Sequence, residues 1–201
     1  MRLQPTAHMS QPWRIHEIAP EFRLEDVWEV PGIGGIDDFR RLVRLVVSLD
    51  LSRASSPAVR LPVIVREKLG QLLALDGPGS GVGARVPTLQ DRLPADLVGT
   101  AAAARFDALA FKPLYLTDDE FAAEAANRTV HGVLHLGRVP DESGGFRVQL
   151  AVLVNPNGML GTAYMVAIKP FRYLLVYPSM LREIGHQWEQ ARTASPEEAS
   201  A

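Results

Sequence analysis

Apolar and polar residues change rhythm several times along this chain, and each rhythm predicts an element. Trp13-Arg-Ile-His-Glu-Ile18 alternates apolar with polar, the period of a half-buried strand. After Pro20, the residues Phe22, Leu24, Val27 and Trp28 fall on a mostly helical stripe, with Glu25 and Asp26 outside it. Pro31-Gly-Ile-Gly-Gly35 then breaks the chain. Over residues 38–49, Phe39, Leu42, Val43, Val46 and Val47 recur at helical spacing, and Asp37 or Asp38 can cap that helix. A further helix is expected over residues 57–75, followed by a glycine-rich loop at 76–85. Residues 87–98 read as irregular with a short turn, and 101–112 as helix or strand. Pro113 biases Lys112 away from helical geometry, so Phe111-Lys-Pro-Leu-Tyr-Leu116 reads as extended. Thr117-Asp-Asp-Glu120 has the form of a capping box and predicts a short helix over 118–126.

The second half is rich in strand signals. Residues 128–139 and 146–154 read as strands joined by a turn at Asp141-Glu-Ser-Gly-Gly145. Asn155-Pro-Asn-Gly158 has tight-turn chemistry and predicts a third strand over 159–168. Three strands joined by short turns make an antiparallel meander. From Pro170 the period becomes helical through Phe171, Leu174, Leu175, Met180, Leu181, Ile184 and Trp188. Pro170 suits the first turn of that helix, and Pro178 is expected to kink or divide it. The predicted class is α+β: a curved antiparallel sheet packed against a long C-terminal helix. Residues 1–11 and 193–201 read as disordered tails, and 12–192 as one domain.

Composition narrows the function. The chain has 201 residues, 47% of them hydrophobic, enough for a real core. It has no cysteine, which excludes disulfides and thiolate metal sites and agrees with a reducing compartment. A net charge of −2 gives no field to recruit nucleic acid. Arg40, Arg41 and Arg44 read as a solvated helix face. No apolar run reaches the roughly 18–20 residues of a transmembrane helix. The first eleven residues lack a signal-peptide core. A cytoplasmic protein without membrane insertion is therefore expected; its oligomeric state is open.

Catalytic signatures are sparse. His131 and His135 are four apart. On a helix they could chelate a metal, but on a strand they stand ~13 Å apart on one face, too far to share an ion. They read instead as polar groups of a cavity or as a partly exposed sheet face. The glycine runs at 32–35 and 77–83 lack a following Gly-Lys-Ser, and there is no Gly-x-Ser-x-Gly elbow. Asp37–Asp38 and Asp118–Asp119 are explained by helix capping. Neither metal nor cofactor is expected. Tyr164, Tyr173 and Tyr177 could each bring a hydroxyl into an apolar pocket, and Trp28 an aromatic wall.

The order of strand, helical segments, meander and long C-terminal helix resembles the helix-grip architecture of START/Bet v 1-like (SRPBCC) proteins, in which an apolar cavity lies between sheet and last helix. Phe22-Arg-Leu-Glu-Asp-Val-Trp-Glu-Val-Pro31, Asn127-Arg-Thr-Val-His-Gly-Val-Leu-His135 and Pro170-Phe-Arg-Tyr-Leu-Leu-Val-Tyr-Pro178, running into Trp188, resemble a bacterial domain-of-unknown-function family, DUF2867, common in actinobacteria. The resemblance spans residues 13–190. Similar domains occur beside NAD(P)-binding reductase-like domains, a part this chain lacks, and the family brings no catalytic residues. Three readings follow. The first is a binding module for a small apolar or amphipathic molecule, using His131, His135, Tyr164, Tyr173 and Trp28. The second is an enzyme of cyclase, dehydratase or hydrolase type with a histidine as general acid or base. The third is a structural or partner-binding protein with an exposed apolar patch.

Overall fold

The computed structural model describes residues 1–31, 38–49, 81–84, 86–106, 111–141 and 144–193. Five strands form one antiparallel sheet: β1 (Arg23–Val30), β2 (Lys112–Leu116), β3 (Glu120–Ala126), β4 (Val130–Pro140) and β5 (Phe146–Pro156). The spatial order is β1-β5-β4-β3-β2. Strands β2 to β5 are thus a meander, and β1 closes against β5. The architecture is α+β with a long C-terminal helical segment, as predicted, but the meander begins earlier in the chain.

The two faces of the sheet carry different cores. Side chains alternate across a strand, so neighbouring residues of β4 face opposite ways. Leu134 and Leu136 join Trp28, Val30, Phe121, Leu150, Tyr177, Leu181, Ile184 and Trp188 on one face. That face is covered by α3 (Asp38–Ser48) and by the last helix, α5 (Tyr177–Thr193). All five apolar residues predicted for the α3 stripe are buried there. The space between sheet and α5, expected as a cavity, is occupied by these side chains. Val133 and Val139 face the other way, with Trp13, Ile15, Ile18, Phe22, Leu89 and Tyr115. This second face is covered by α1 (Thr6–Met9), α2 (Arg14–Ile18) and a 3-10 turn at Leu89–Arg92.

Several expectations are corrected. Residues 1–11 are no tail: Leu3 N–H donates to Val27 O (2.9 Å), Arg2 bridges to Trp28, and His8 is fully buried. Residues 14–18 form the short helix α2, because Ile15 and Ile18 share one side of a single turn. Residues 23–30 are a strand whose alternation is interrupted by a bulge between Leu24 and Asp26. The bulge moves Leu24 to the second face and Asp26 toward the helix face, which mimics a helical stripe. Thr117-Asp-Asp-Glu120 is the turn between β2 and β3: Thr117 Oγ1 accepts from Glu120 N–H at 2.9 Å, as in a capping box, but Thr117 N–H donates to Glu120 O and strand follows. Residues 158–171 are helix α4 (Gly158–Phe171) in place of a third hairpin strand. Pro170 lies inside α4, and Pro178 falls in the first turn of α5. Between them Arg172–Val176 winds as π-helix. Pro178 has no N–H and its ring crowds the carbonyl four residues earlier, and the wider π turn accommodates both. The helix expected over 57–75 and the tail 194–201 lie outside the described residues, as does most of the loop at 76–85.

Candidate functional site

The second face holds an unusual set of buried ionisable groups. Glu120 and Glu124 stand two residues either side of Ala122 on β3, so both point to that face. His131 and His135 do the same around Val133 on β4. The register pairs Glu120 with Gly137 and Glu124 with Val133. Each glutamate therefore reaches diagonally to the histidine two residues before its partner. His135 Nε2 lies 3.2 Å from Glu120 Oε2, and His131 Nε2 lies 2.8 Å from Glu124 Oε2. All four side chains are buried.

Glu120 is the more heavily used carboxylate. Tyr115 Oη–H donates to it at 2.8 Å, and Arg14 N–H, at the start of α2, donates to both oxygens at 3.0 and 3.1 Å. Burial opposes its ionisation, but hydrogen bonds from His135 and Arg14 N–H outweigh this and hold its pKa below the ordinary carboxylate value. Burial and the adjacent Glu120 charge push the Tyr115 hydroxyl pKa up, so it stays a donor.

From Glu120 a line of imidazoles leads outward. His135 Nδ1 is 3.1 Å from His8 Nε2, and His8 Nδ1 is 3.2 Å from His16 Nε2. Trp13 packs against this line, its ring 5.3 Å from His135 and 6.0 Å from His8. His8 is fully buried, and His16 is half-buried at the outer end. Burial pushes the His8 pKa down to about 2, with the neighbouring His135 and His16 adding to the effect. Burial, then His135, also lowers that of His16.

The charge on His135 sets the direction of the hydrogen bonds along this line. Ionised Glu120 accepts a hydrogen bond from His135 Nε2–H. When His135 is neutral it accepts at Nδ1, and His8 donates from Nε2. His8 in turn accepts at Nδ1 from His16 Nε2–H. In that arrangement the unprotonated nitrogen of His16 is Nδ1, which among the described residues has no hydrogen-bond partner.

The second dyad ends differently. Glu124 accepts from Thr88 Oγ1–H and from Leu89 N–H at 3.1 Å, while Phe22 and His131 pack in a T-shaped contact with ring centroids 4.9 Å apart. Burial raises its pKa, but the bonds from His131, Thr88 and Leu89 prevail and lower it. Thr88 bonds to the carboxylate and not to the histidine, so this is no nucleophile–histidine–acid order.

The sequence-based candidates thus fall on two faces. His131 and His135 lie opposite the last helix, beside separate carboxylates. Trp28 and Tyr173 lie on the helix face, with ring centroids 6.5 Å apart. Tyr177, in the core with its ring 5.2 Å from that of Trp28, donates to Asp26 at 2.8 Å, and Arg172 of the π turn bonds Glu25 at 3.2 Å. Tyr164 is half-buried on α4. The two histidines are therefore not brought together with Trp28 and Tyr173. Tyr115, Glu120, Glu124, His8 and His16 were not anticipated. The paired four-residue spacings of Glu120–Glu124 and His131–His135 were the available signal; His8 and His16 had none.

Residues 18–179 match the family described as "Protein of unknown function (DUF2867)". The match contains Tyr115, Glu120, Glu124, His131 and His135 but begins after His16. No curated protein and no solved structure matches the chain.

Proposed function

The chain belongs to this family of unknown function, and we propose that it is an acid–base catalyst whose proton acceptor is Nδ1 of His16. The observation that supports this most is the hydrogen-bonded line Glu120–His135–His8–His16, running from a buried carboxylate to the surface. Buried ionisable groups are costly, and clusters of them with perturbed pKa values concentrate at functional sites. A proton taken up at His16 Nδ1 releases the Nε2 proton to His8 Nδ1. The His8 Nε2 proton then passes to His135 Nδ1. The charge ends on His135, beside the Glu120 carboxylate, and no buried ring is left charged without a counter-ion. Such a base suits a small molecule with a weakly acidic C–H or O–H group, as in a cyclase or dehydratase type of reaction. The order of strand, helix, meander and C-terminal helix also supports reading the fold as helix-grip, with the acid–base groups on the sheet face away from the last helix.

The test uses ethyl acetoacetate as a generic carbon acid and follows deuterium exchange at its acidic carbon by NMR in heavy water. The full chain is expected to accelerate exchange over buffer, and His16→Gln to remove about a hundredfold of that, the usual lower contribution of a positioned base. Exchange at the buffer rate, or equal acceleration by both proteins, overturns the reading.

A further inference from the structure

Helix α4 is apolar on the side it turns to solvent. Among the described residues, eight large hydrophobic side chains are exposed, and five of them, Met159, Leu160, Val166, Leu174 and Leu175, belong to α4 and the π turn after it. Met159, Val166, Pro170 and Leu174 recur at intervals of seven, four and four, so they share one stripe. Met159 is 91% exposed and Leu174 75%. The buried residues of the same segment, Gly161, Met165 and Arg172, are spaced four and seven apart on the opposite side. The stripe is therefore an organised face and not scattered surface carbon. Val166, Lys169, Pro170, Tyr173 and Leu174 line an open apolar depression of about 420 Å³ on it.

Charge says what covers this face. Between Glu142 and Glu183 the chain has no Asp or Glu. Arg172 is spent internally on Glu25 and Asp26, while Lys169 and Arg2 gather at the Tyr173 ring, 5.7 and 4.2 Å from its centroid. An apolar stripe that carries no acid of its own and is flanked by cations is complementary to an anionic lipid surface, where a helix lies in the headgroup plane with its apolar side down. No helix of the described residues is long and apolar enough to cross a membrane, so the contact is peripheral. We propose that the α4 stripe docks the protein on an anionic membrane surface, Met159, Val166 and Leu174 entering the acyl boundary and Lys169 contacting headgroup phosphates.

The full chain is mixed with phosphatidylcholine vesicles containing or lacking phosphatidylglycerol and sedimented. Binding to the anionic vesicles is expected, with weaker binding to the neutral ones. Lys169→Glu should weaken it at least about fivefold, the effect of one cation at such a surface. Val166→Glu/Leu174→Glu should abolish it, with circular dichroism and thermal midpoint unchanged because both sites are exposed. Absence of sedimentation with anionic vesicles, or equal binding by the variants, overturns the proposal. So does a dimer in solution that Val166→Glu/Leu174→Glu converts to monomer, since the stripe then belongs to a second copy.

Discussion

His8 Nε2 stands 3.1 Å from His135 Nδ1, although 127 residues separate the two in the chain. Both rings are fully buried, so each serves as the other's partner in a site without solvent. Replacing His8 by Phe keeps an aromatic ring at the site but leaves His135 Nδ1 unpaired. A loss of about 1–3 kcal/mol is expected in chemical denaturation, the cost of an unsatisfied buried polar group. Unchanged stability would mean that the N-terminal segment does not pack on the sheet.

The same histidine makes stability depend on acid. Its pKa is about 2 when folded against 6.5 as an ordinary histidine. The unfolded chain therefore binds the proton first, and stability falls as pH drops below about 6.5, with a slope from this group of up to about 1.4 kcal/mol per pH unit. Glu120 and Glu124 have lowered pKa values, so their contribution is present above the ordinary value of 4.5 and is lost as pH falls further, through their folded values. Denaturation midpoints should decline from pH 6.5 to 5 and more steeply below 4.5. A flat profile between pH 7 and 5 would contradict the burial of a neutral His8.

Glu120 should outrank Tyr115 in thermal and chemical denaturation. Glu120→Gln removes the charge that His135, Tyr115 and the start of α2 all address. Several hydrogen bonds to a buried charge, each worth about 1.5–3 kcal/mol, are weakened together. Tyr115→Phe removes one hydrogen bond, worth about 1 kcal/mol. The reverse order would show that Glu120 is not the hub.

Gly137 makes room for Trp13. A Cβ at this position would lie 2.6 Å from Trp13 Cζ2, so Gly137→Ala must displace the ring that packs on His135. A destabilisation of about 1–3 kcal/mol is expected, as for other overpacked sites, together with a shift in tryptophan fluorescence. Wild-type emission and stability in the variant would place Trp13 elsewhere.

Helix α3 and strands β4 and β5 were legible because their apolar patterns are regular and flanked by clear turns. Strand β1 was not. Its bulge offsets Leu24 from Val27, and the buried Asp26 looks like a surface residue until Tyr177 and Arg172 are seen beside it. The Thr117–Glu120 turn makes the local hydrogen bond of a helix cap, but Thr117 N–H pairs with Glu120 O and the Glu120 side chain reaches Arg14 and His135, a long-range matter. Reading residues 118–126 as helix assigned Glu120 to capping and hid the dyads. His131 and His135 were found, but the face they occupy depended on sheet register. His8 and His16 sit in a segment too short and polar to announce a fold, and only docking against β4 gives them a role.

The most direct measurement is a long-range proton–nitrogen NMR correlation of the imidazoles of the full chain near pH 7. His8 and His16 are expected as neutral rings carrying the proton on Nε2, with His16 Nδ1 unprotonated; in His8→Phe, His16 should relax to a mixture of tautomers. A His8 ring protonated on Nδ1, or a His16 tautomer indifferent to loss of His8, would contradict the relay.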